Sequence, residues 1–221
     1  MIIEFFGLSK TGKSSLKRKL KEAEYNVLNP LSFLKKMLFF LKYLIKHPIS
    51  TSFLFYKLNT NHIEFIDFKL SIYNQFRVLK MRNSYIISLL AKYEKAKKRK
   101  GLIFSDELAF QSLFMFFQRK ADEQEIRSII KMLPKSDLLC LFERSREERH
   151  KIYSIPHPNF KKNPTMFPGG WINVDYAKAW MNVMEYNYEI IKQIIQKDYK
   201  EAKNEFKGIP FKFPKTYKIK N

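Results

Sequence analysis

The residues most able to do chemistry are two glycines, a lysine and two serines near the start of the chain. The stretch "GLSKTGKS", residues 7–14, fits the pattern G-x-x-x-x-G-K-[ST]. Glycines let a backbone curl so that successive N–H groups point inward, and the positive end of a following helix adds to their attraction for phosphate oxygens. The pattern therefore predicts a loop that binds a nucleoside triphosphate, with ATP and Mg²⁺ as cofactors.

The positions of this loop have distinct predicted roles. Lys13 would bridge the β- and γ-phosphates, and the Ser14 hydroxyl would coordinate Mg²⁺. The two glycines of the pattern, Gly7 and Gly12, would bring the backbone close to the phosphates. Further contacts could come from three neighbouring side chains of the loop: Lys10, Thr11 and Ser15.

The elements that must position this loop are a strand before it and a helix after it. "MIIEFF" is rich in β-branched and aromatic residues, which is typical of a buried strand. "KSSLKRKLKEAE" places Leu16, Leu20 and Ala23 at helical spacing among good helix formers. These flanks are the context that the phosphate-binding pattern requires.

A pair of carboxylates forms the second candidate group. "GLIF", residues 101–104, reads as a short buried strand that leads into Asp106 and Glu107, and "LAFQSLFMFF" after them reads as a helix. Because ligands of open α/β sheets bind at the carboxyl ends of strands, Asp106 would lie beside the loop. It could orient the Mg²⁺ hydration shell or accept the proton of an attacking hydroxyl, with Glu107 as the second candidate. The alternative is an Asp that only caps the following helix.

A cluster of arginines is the third candidate group. After the apolar run "LLCLF" come Arg144, Arg146 and Arg149 within six residues. A mobile segment of this kind can close on phosphates and stabilise their charge. An exposed helix with pairing between nearby arginines and glutamates is the alternative.

The motifs "GLSKTGKSS", "SDELAFQS" and "DLLCLFERSREER", in that order, resemble the P-loop nucleoside and nucleotide kinases, and in particular thymidylate kinase and its relatives. The resemblance implies a parallel five-stranded sheet between helices, ATP–Mg²⁺ as donor, and a lid after the fourth strand. Members of the family often carry Asp-Arg where this chain has Asp106–Glu107, so a nucleoside or sugar hydroxyl fits better than a monophosphate as acceptor. With Gln111 following, the pair is similar to kinase-like proteins associated with surface-polysaccharide synthesis.

The predicted fold is one α/β domain over residues 1–221, a three-layer P-loop NTPase sandwich with a central parallel sheet. A helical acceptor-side insertion is expected over residues 31–100, after the second strand, and a lid or loop region over 143–172. A long C-terminal helix is expected from 173 to about 206. No good fifth strand is visible, and "KFPKTYKIKN" is expected to be a poorly ordered basic tail.

The first helix of the insertion, in "PLSFLKKMLFFLKYLIKHP", combines an apolar stripe with lysines. The predicted stripe consists of Leu34, Met37, Leu38, Leu41, Leu44 and Ile45. Such a stripe is typical of a core or partner-facing helix, and a basic amphipathic helix can also make a peripheral contact with an anionic membrane.

The high positive charge of the chain does not by itself indicate a nucleic-acid partner. The net charge is +21, but only nine of the 42 cations are arginines, in a lysine-rich composition that AT-rich coding would produce. A nucleic-acid partner would rest on charge alone, so we do not expect one. The single cysteine, Cys140, lies in an apolar run and permits no internal disulfide. Because the sequence shows no signal peptide and no membrane-spanning run, we expect a cytoplasmic protein, which could also bind peripherally to the inner face of a membrane. The sequence does not determine the oligomeric state, and a homodimer is one of the alternatives.

Together these features predict an ATP-dependent kinase that moves the γ-phosphate to a hydroxyl of a nucleoside, nucleotide or sugar-type small molecule. The alternative is a P-loop ATPase that switches a membrane or protein partner without any small-molecule acceptor.

Overall fold

The computed structural model describes residues 1–8, 11–60, 71–106, 108–117, 119–142, 145, 174–198 and 217–219. Within these residues the chain forms five strands and seven helices. The strands are β1 (Ile2–Phe6), β2 (Asn26–Val27), β3 (Ile103–Ser105), β4 (Leu138–Phe142) and β5 (Tyr217–Ile219). The helices are α1 (Lys13–Glu22), α2 (Phe33–Lys46), α3 (Pro48–Thr60), α4 (Ile72–Lys97), α5 (Ala109–Phe116), α6 (Glu123–Ile130) and α7 (Val174–Asp198).

The strands form one sheet in the order β2-β3-β1-β4-β5, and the first four of these are parallel. Every residue of β1, β3 and β4 is buried, which explains why these strands read as continuous apolar runs rather than as an alternating pattern. Because the strands are parallel, β1, β3 and β4 all end at the same edge of the sheet. The prediction of an α/β fold with a central parallel sheet is confirmed.

The fifth strand differs from both expectations stated for it. β5 pairs with β4 in the antiparallel direction, with Cys140 opposite Ile219 and Phe142 opposite Tyr217. The all-parallel five-stranded sheet that the resemblance implies is therefore wrong for this strand, and so is the expectation that no good fifth strand is present. The rest of the predicted tail "KFPKTYKIKN" lies outside the described residues. A Tyr-Lys-Ile triplet has the β-branched and aromatic character that suits a short edge strand.

The two faces of the sheet carry separate apolar clusters. On one face Ile3 and Phe5 pack with Leu16 and Leu20 of α1. On the other face Ile2 and Phe6 belong to a larger cluster that takes in residues of α4, α5, α6 and α7. Helices therefore cover both faces, and α1 and α5 hold the segments at the carboxyl edge of the sheet in place.

Within the part of this interval that the structure describes, three helices lie between β2 and β3, where the sequence predicts helices. α2 packs along α4, where the rings of Tyr43 and Tyr93 meet edge to face and Lys46 binds the buried carboxylate of Glu94 at 2.6 Å. Among the described residues, no helix is both long and apolar enough to cross a membrane.

The helix near the C-terminus is described over Val174–Asp198, within the longer range expected from the sequence. Its predicted core residues Trp180, Met184, Ile191 and Ile194 are all buried. The buried amide of Asn187 accepts from the N–H of Ala121 and donates to the carbonyl of Arg119, which fixes α7 against the start of α6. The side chain of Ala177 lies outside the described residues.

Candidate functional site

The loop between β1 and α1 is shaped by its two glycines. Gly12 has a φ of 101°, a left-handed conformation that favours glycine, and its carbonyl accepts the N–H groups of Ser15 and Leu16 as α1 begins. A Cβ on Gly7 would collide with the carbonyl oxygen of Phe142 and lie 3.2 Å from the hydroxyl of Thr11. Glycine is therefore required at both positions by the backbone itself.

Lys13 folds back over this loop. Its ammonium donates to the carbonyl oxygens of Gly7 at 2.5 Å and Leu8 at 2.7 Å, and lies 3.4 Å from the Thr11 hydroxyl. Burial lowers the pKa of Lys13 to about 8, although the negative charge of Asp106 opposes that shift. The ammonium of Lys13 is therefore a positive charge that is only partly solvated, and such a charge favours the binding of an anion.

The first turn of α1 presents the groups that an anion would contact. No side chain caps this helix and its first turn holds no acidic residue, so its N-terminal N–H groups and dipole face no negative charge of its own. The hydroxyl-bearing residues Ser14 and Ser15 are exposed there. The residues present therefore fit a Mg²⁺-bound triphosphate: Lys13 and the helix N-terminus would face the phosphates, and Ser14 would be available to the metal.

Asp106 lies at the same edge of the sheet, directly after β3. Its Oδ1 accepts from the ammonium of Lys17 at 2.6 Å, and both side chains are partly buried. Lys17 follows Lys13 by one helical turn on α1, so the ion pair holds the carboxylate beside the loop. The structure places Asp106 beside the loop through its pair with Lys17, and the N-cap residue of α5, Leu108, makes no side-chain capping hydrogen bond.

The group that caps α5 is Glu4, which the sequence analysis missed. This fully buried carboxylate in the middle of β1 accepts the N–H of Phe110 at 2.8 Å and of Gln111 at 3.1 Å, and the hydroxyl of Ser136 donates to it at 2.8 Å. Gln111 in turn accepts the N–H of Gly7 at 3.4 Å. The position of this glutamate in the apolar run "MIIEFF" could have indicated its role, because a single acid in a buried strand needs hydrogen-bond partners.

Glu4 makes stability depend on pH. Burial raises the pKa of Glu4 to about 7, although its hydrogen bonds to Ser136 and to the start of α5 oppose that shift. As pH rises, the unfolded chain releases this proton near 4.5 and the folded chain only near 7, so the stabilisation is complete below pH 4.5 and lost as pH rises through 7. The loss corresponds to about 3 kcal/mol in the free energy of unfolding.

The prediction is tested with Glu4→Gln, which keeps the shape and cannot ionise. We expect wild type to lose about 3 kcal/mol relative to this variant between pH values of about 4.5 and 8, measured by urea unfolding at a series of pH values. Glu22→Gln, which removes an exposed carboxylate from α1, should follow wild type. Parallel pH curves for wild type and Glu4→Gln would show that Glu4 does not titrate in this range.

A cavity of about 250 Å³ opens between α2, α4 and α5. Its polar lining consists of two lysines and four hydroxyl-bearing residues: Lys36, Lys92, Ser84, Tyr85, Ser88 and Ser112. Ser112 follows Gln111, so the cavity adjoins the helix that contacts the β1–α1 loop. Two ammonium groups and several hydroxyls, with no carboxylate among the described lining residues, suit a small anionic and hydroxylated ligand.

Several predicted site residues lie outside the described residues: Lys10, Glu107, Arg144, Arg146 and Arg149. The same holds for the predicted lid region 143–172, apart from Ser145. The roles assigned to these residues therefore remain predictions. The structure brings together the remainder of the predicted set: Gly7, Thr11, Gly12, Lys13, Ser14, Ser15 and Asp106.

Comparison with known proteins provides no family assignment. A scan against models of protein families gave no match, and a search of curated proteins gave no significant match.

Proposed function

We propose that this chain is an ATP-dependent phosphotransferase of the P-loop kinase type, which moves the γ-phosphate to a hydroxyl of a small acceptor. The observation that carries the proposal is the convergence of Lys13 and Asp106 at one edge of the sheet. They follow the neighbouring strands β1 and β3, and Lys17 joins Asp106 to the helix that begins at Lys13. A phosphate-binding cation and a carboxylate are thereby held side by side.

Each of these groups has a role in phosphoryl transfer, in which positioning and charge stabilisation do most of the work. Lys13 and the N–H groups at the start of α1 would hold the phosphates, and Ser14 would hold Mg²⁺. Mg²⁺–ATP supplies the phosphoryl group. Asp106 would accept the proton of the attacking hydroxyl or orient the water ligands of the metal. Arg144, Arg146 and Arg149 are the proposed lid cations that would neutralise the transferred charge.

The cavity lined by Lys36 and Lys92 supports an acceptor rather than simple ATP hydrolysis. Its lining is mostly polar, and its lining residue Ser112 lies on α5, the helix beside the loop. Its volume of about 250 Å³ is slightly below the roughly 300–1,000 Å³ of small-molecule pockets, which suits a small acceptor. The lining favours a sugar or nucleoside derivative that carries a negative charge.

The proposal is tested by following ATP consumption with purified protein and Mg²⁺ across pools of nucleosides, nucleotides, sugars and sugar phosphates. We expect turnover to require one pool, and mass spectrometry of that pool should find a product heavier by one phosphoryl group. The blank is Lys13→Ala. Turnover that is independent of every pool would contradict the kinase and favour the P-loop ATPase that acts as a switch.

The proposal that the acceptor binds in the cavity lined by Lys36 and Lys92 leads to a separate prediction. Lys36→Met should raise the KM for the identified acceptor by about 10- to 100-fold, because a hydrogen bond to a charged group is lost, and leave the KM for ATP nearly unchanged. Lys35→Met is the matched control, since Lys35 is exposed on another side of α2 and does not line the cavity. Equal effects of the two variants would place the acceptor elsewhere.

A further inference from the structure

Helix α2 exposes an apolar face to solvent. Leu34, Leu38, Leu41 and Ile45 are 80%, 51%, 48% and 78% exposed, respectively. These four residues, which we call the α2 stripe, follow the spacing i, i+4, i+7 and i+11, which places them within an arc of about 60° on the helix. The side of α2 that packs against the protein carries other residues, among them Tyr43 and Phe40. The sequence left open whether this apolar stripe enters the core, and the structure turns it outward.

Cations flank the α2 stripe and acids are absent from it. Lys35 and Lys42 are exposed on one side of the stripe. Lys98, which directly follows α4, lies with Lys42 around the ring of Phe39, at 5.3 and 6.0 Å from its centroid. Residues 31–60 contain five lysines and no aspartate or glutamate. This surface therefore combines exposed leucines with a positive border, while the whole chain carries a net charge of +21.

We propose that the α2 stripe lies in the surface of an anionic lipid bilayer. A 14-residue helix with leucines on one face and lysines beside them has the form of a helix that rests in the interface plane, with its apolar residues among the acyl chains and its ammonium groups at the lipid phosphates. Its length of about 21 Å is too short to cross the bilayer core. The neighbouring helix also exposes Ile49 and Phe53, at 85% and 53%.

Charge favours a bilayer over a second copy of this chain as the occupant. A two-fold interface through the stripe would bring Lys35 and Lys42 of both copies around one apolar seam, and segment 31–60 offers no acid to neutralise them. An anionic bilayer instead supplies the opposite charge along the whole helix. This proposal stands on the surface alone and does not depend on the phosphotransferase activity.

The test is flotation of the full chain with phosphatidylcholine vesicles and with vesicles that also contain phosphatidylserine. We expect binding to the anionic vesicles only. The double variant Leu38→Gln with Leu41→Gln, which changes exposed side chains and leaves the net charge as it is, should weaken that binding by at least about 10-fold. Unchanged thermal unfolding will show that the variant is folded.

Two matched charge variants separate the α2 surface from general electrostatic attraction. Lys35→Gln with Lys42→Gln should weaken vesicle binding by roughly 10-fold, whereas Lys19→Gln with Lys21→Gln on α1 removes the same charge from exposed positions and should weaken it much less. Equal effects of the two pairs, or binding that survives the loss of the leucines, would overturn the proposal. So would failure to bind vesicles combined with a dimer that the leucine variant dissociates.

Insertion can be observed directly with a dye. Cys140 is buried, and burial raises the pKa of its thiol to about 12, so a thiol-reactive environment-sensitive dye will label an introduced cysteine selectively. Dye on Leu41→Cys should shift its emission to the blue with anionic vesicles, and dye on Lys21→Cys should not. An unshifted emission at position 41 despite vesicle binding would mean that the helix does not enter the lipid.

Discussion

Replacing Lys13 with alanine is expected to reduce ATP turnover by about 10²- to 10³-fold, because the variant loses the one described cation whose ammonium lies over the β1–α1 loop. Binding of a fluorescent ATP analogue should weaken as well, since the triphosphate would keep only the N–H groups and the helix dipole. Turnover and binding are measured on the same preparation. Circular dichroism should show an unchanged fold.

The control for this variant is Lys19→Ala, which removes an exposed lysine from the same helix and should change turnover by less than about 2-fold. If both variants lose activity equally, the loop does not bind the nucleotide through Lys13.

The lowered pKa of Lys13 adds a pH dependence to this prediction. Only the protonated ammonium attracts phosphates, and it loses its proton as pH rises through about 8 in the free protein. We therefore expect kcat/KM for ATP to fall above pH 8, while kcat should fall only at higher pH because bound phosphates retain the proton. Lys13→Arg, which stays charged, should remove the decline in kcat/KM even where its activity is low. A decline that persists in Lys13→Arg would assign it to another group.

The sequence predicts the framework of this site because its signals are local. β1, the β1–α1 loop and α1 form one continuous stretch in which glycine spacing, apolar runs and helix formers agree. β3 and β4 are short apolar runs bounded by polar residues, and a parallel sheet buries such runs completely. The edge at which Lys13 and Asp106 meet then follows from the geometry of parallel strands.

The partners of these residues could not be predicted in the same way. The pair of Lys17 with Asp106 joins positions 89 residues apart, and Glu4 reaches the N–H groups of Phe110 and Gln111 more than 100 residues away. No spacing rule connects such positions, because only the packing of α1 and α5 against the sheet brings them together. Glu4 shows the consequence, since the chain caps α5 from the central strand rather than from the residue before the helix.

The sequence could not show which face of α2 packs against the protein, and the reason here is different. Apolar residues surround this helix, with Phe39, Phe40 and Tyr43 opposite or beside the α2 stripe, so periodicity alone could not show which face packs on α4. The aromatic side takes that role, since Tyr43 is buried and Phe40 is partly buried. The leucines that looked like core residues remain in solvent as a consequence.

Asp106→Asn is expected to lower kcat by about 10²- to 10⁴-fold, the range for a general base, and to change the KM for ATP much less. Asparagine retains the size and the hydrogen-bonding oxygen of the side chain, so it can still accept from Lys17, but it cannot take the proton of an acceptor hydroxyl. The measurement is steady-state kinetics with the acceptor found in the pooled assay. Glu22→Gln removes an exposed carboxylate from the end of α1 and should leave kcat unchanged.

Lys17→Met distinguishes a role of Asp106 in the chemistry from a role only as the ion-pair partner of Lys17. If the carboxylate acts as the base, loss of its ion pair disturbs its position only, and we expect kcat to fall by about 10-fold or less while Asp106→Asn remains far more damaging. If Asp106 instead serves mainly to neutralise Lys17, Lys17→Met should restore activity to the Asp106→Asn variant. A double variant as active as Lys17→Met alone would therefore remove Asp106 from the chemistry, whereas a double variant as inactive as Asp106→Asn would place the carboxylate at the reacting hydroxyl or at the water ligands of Mg²⁺.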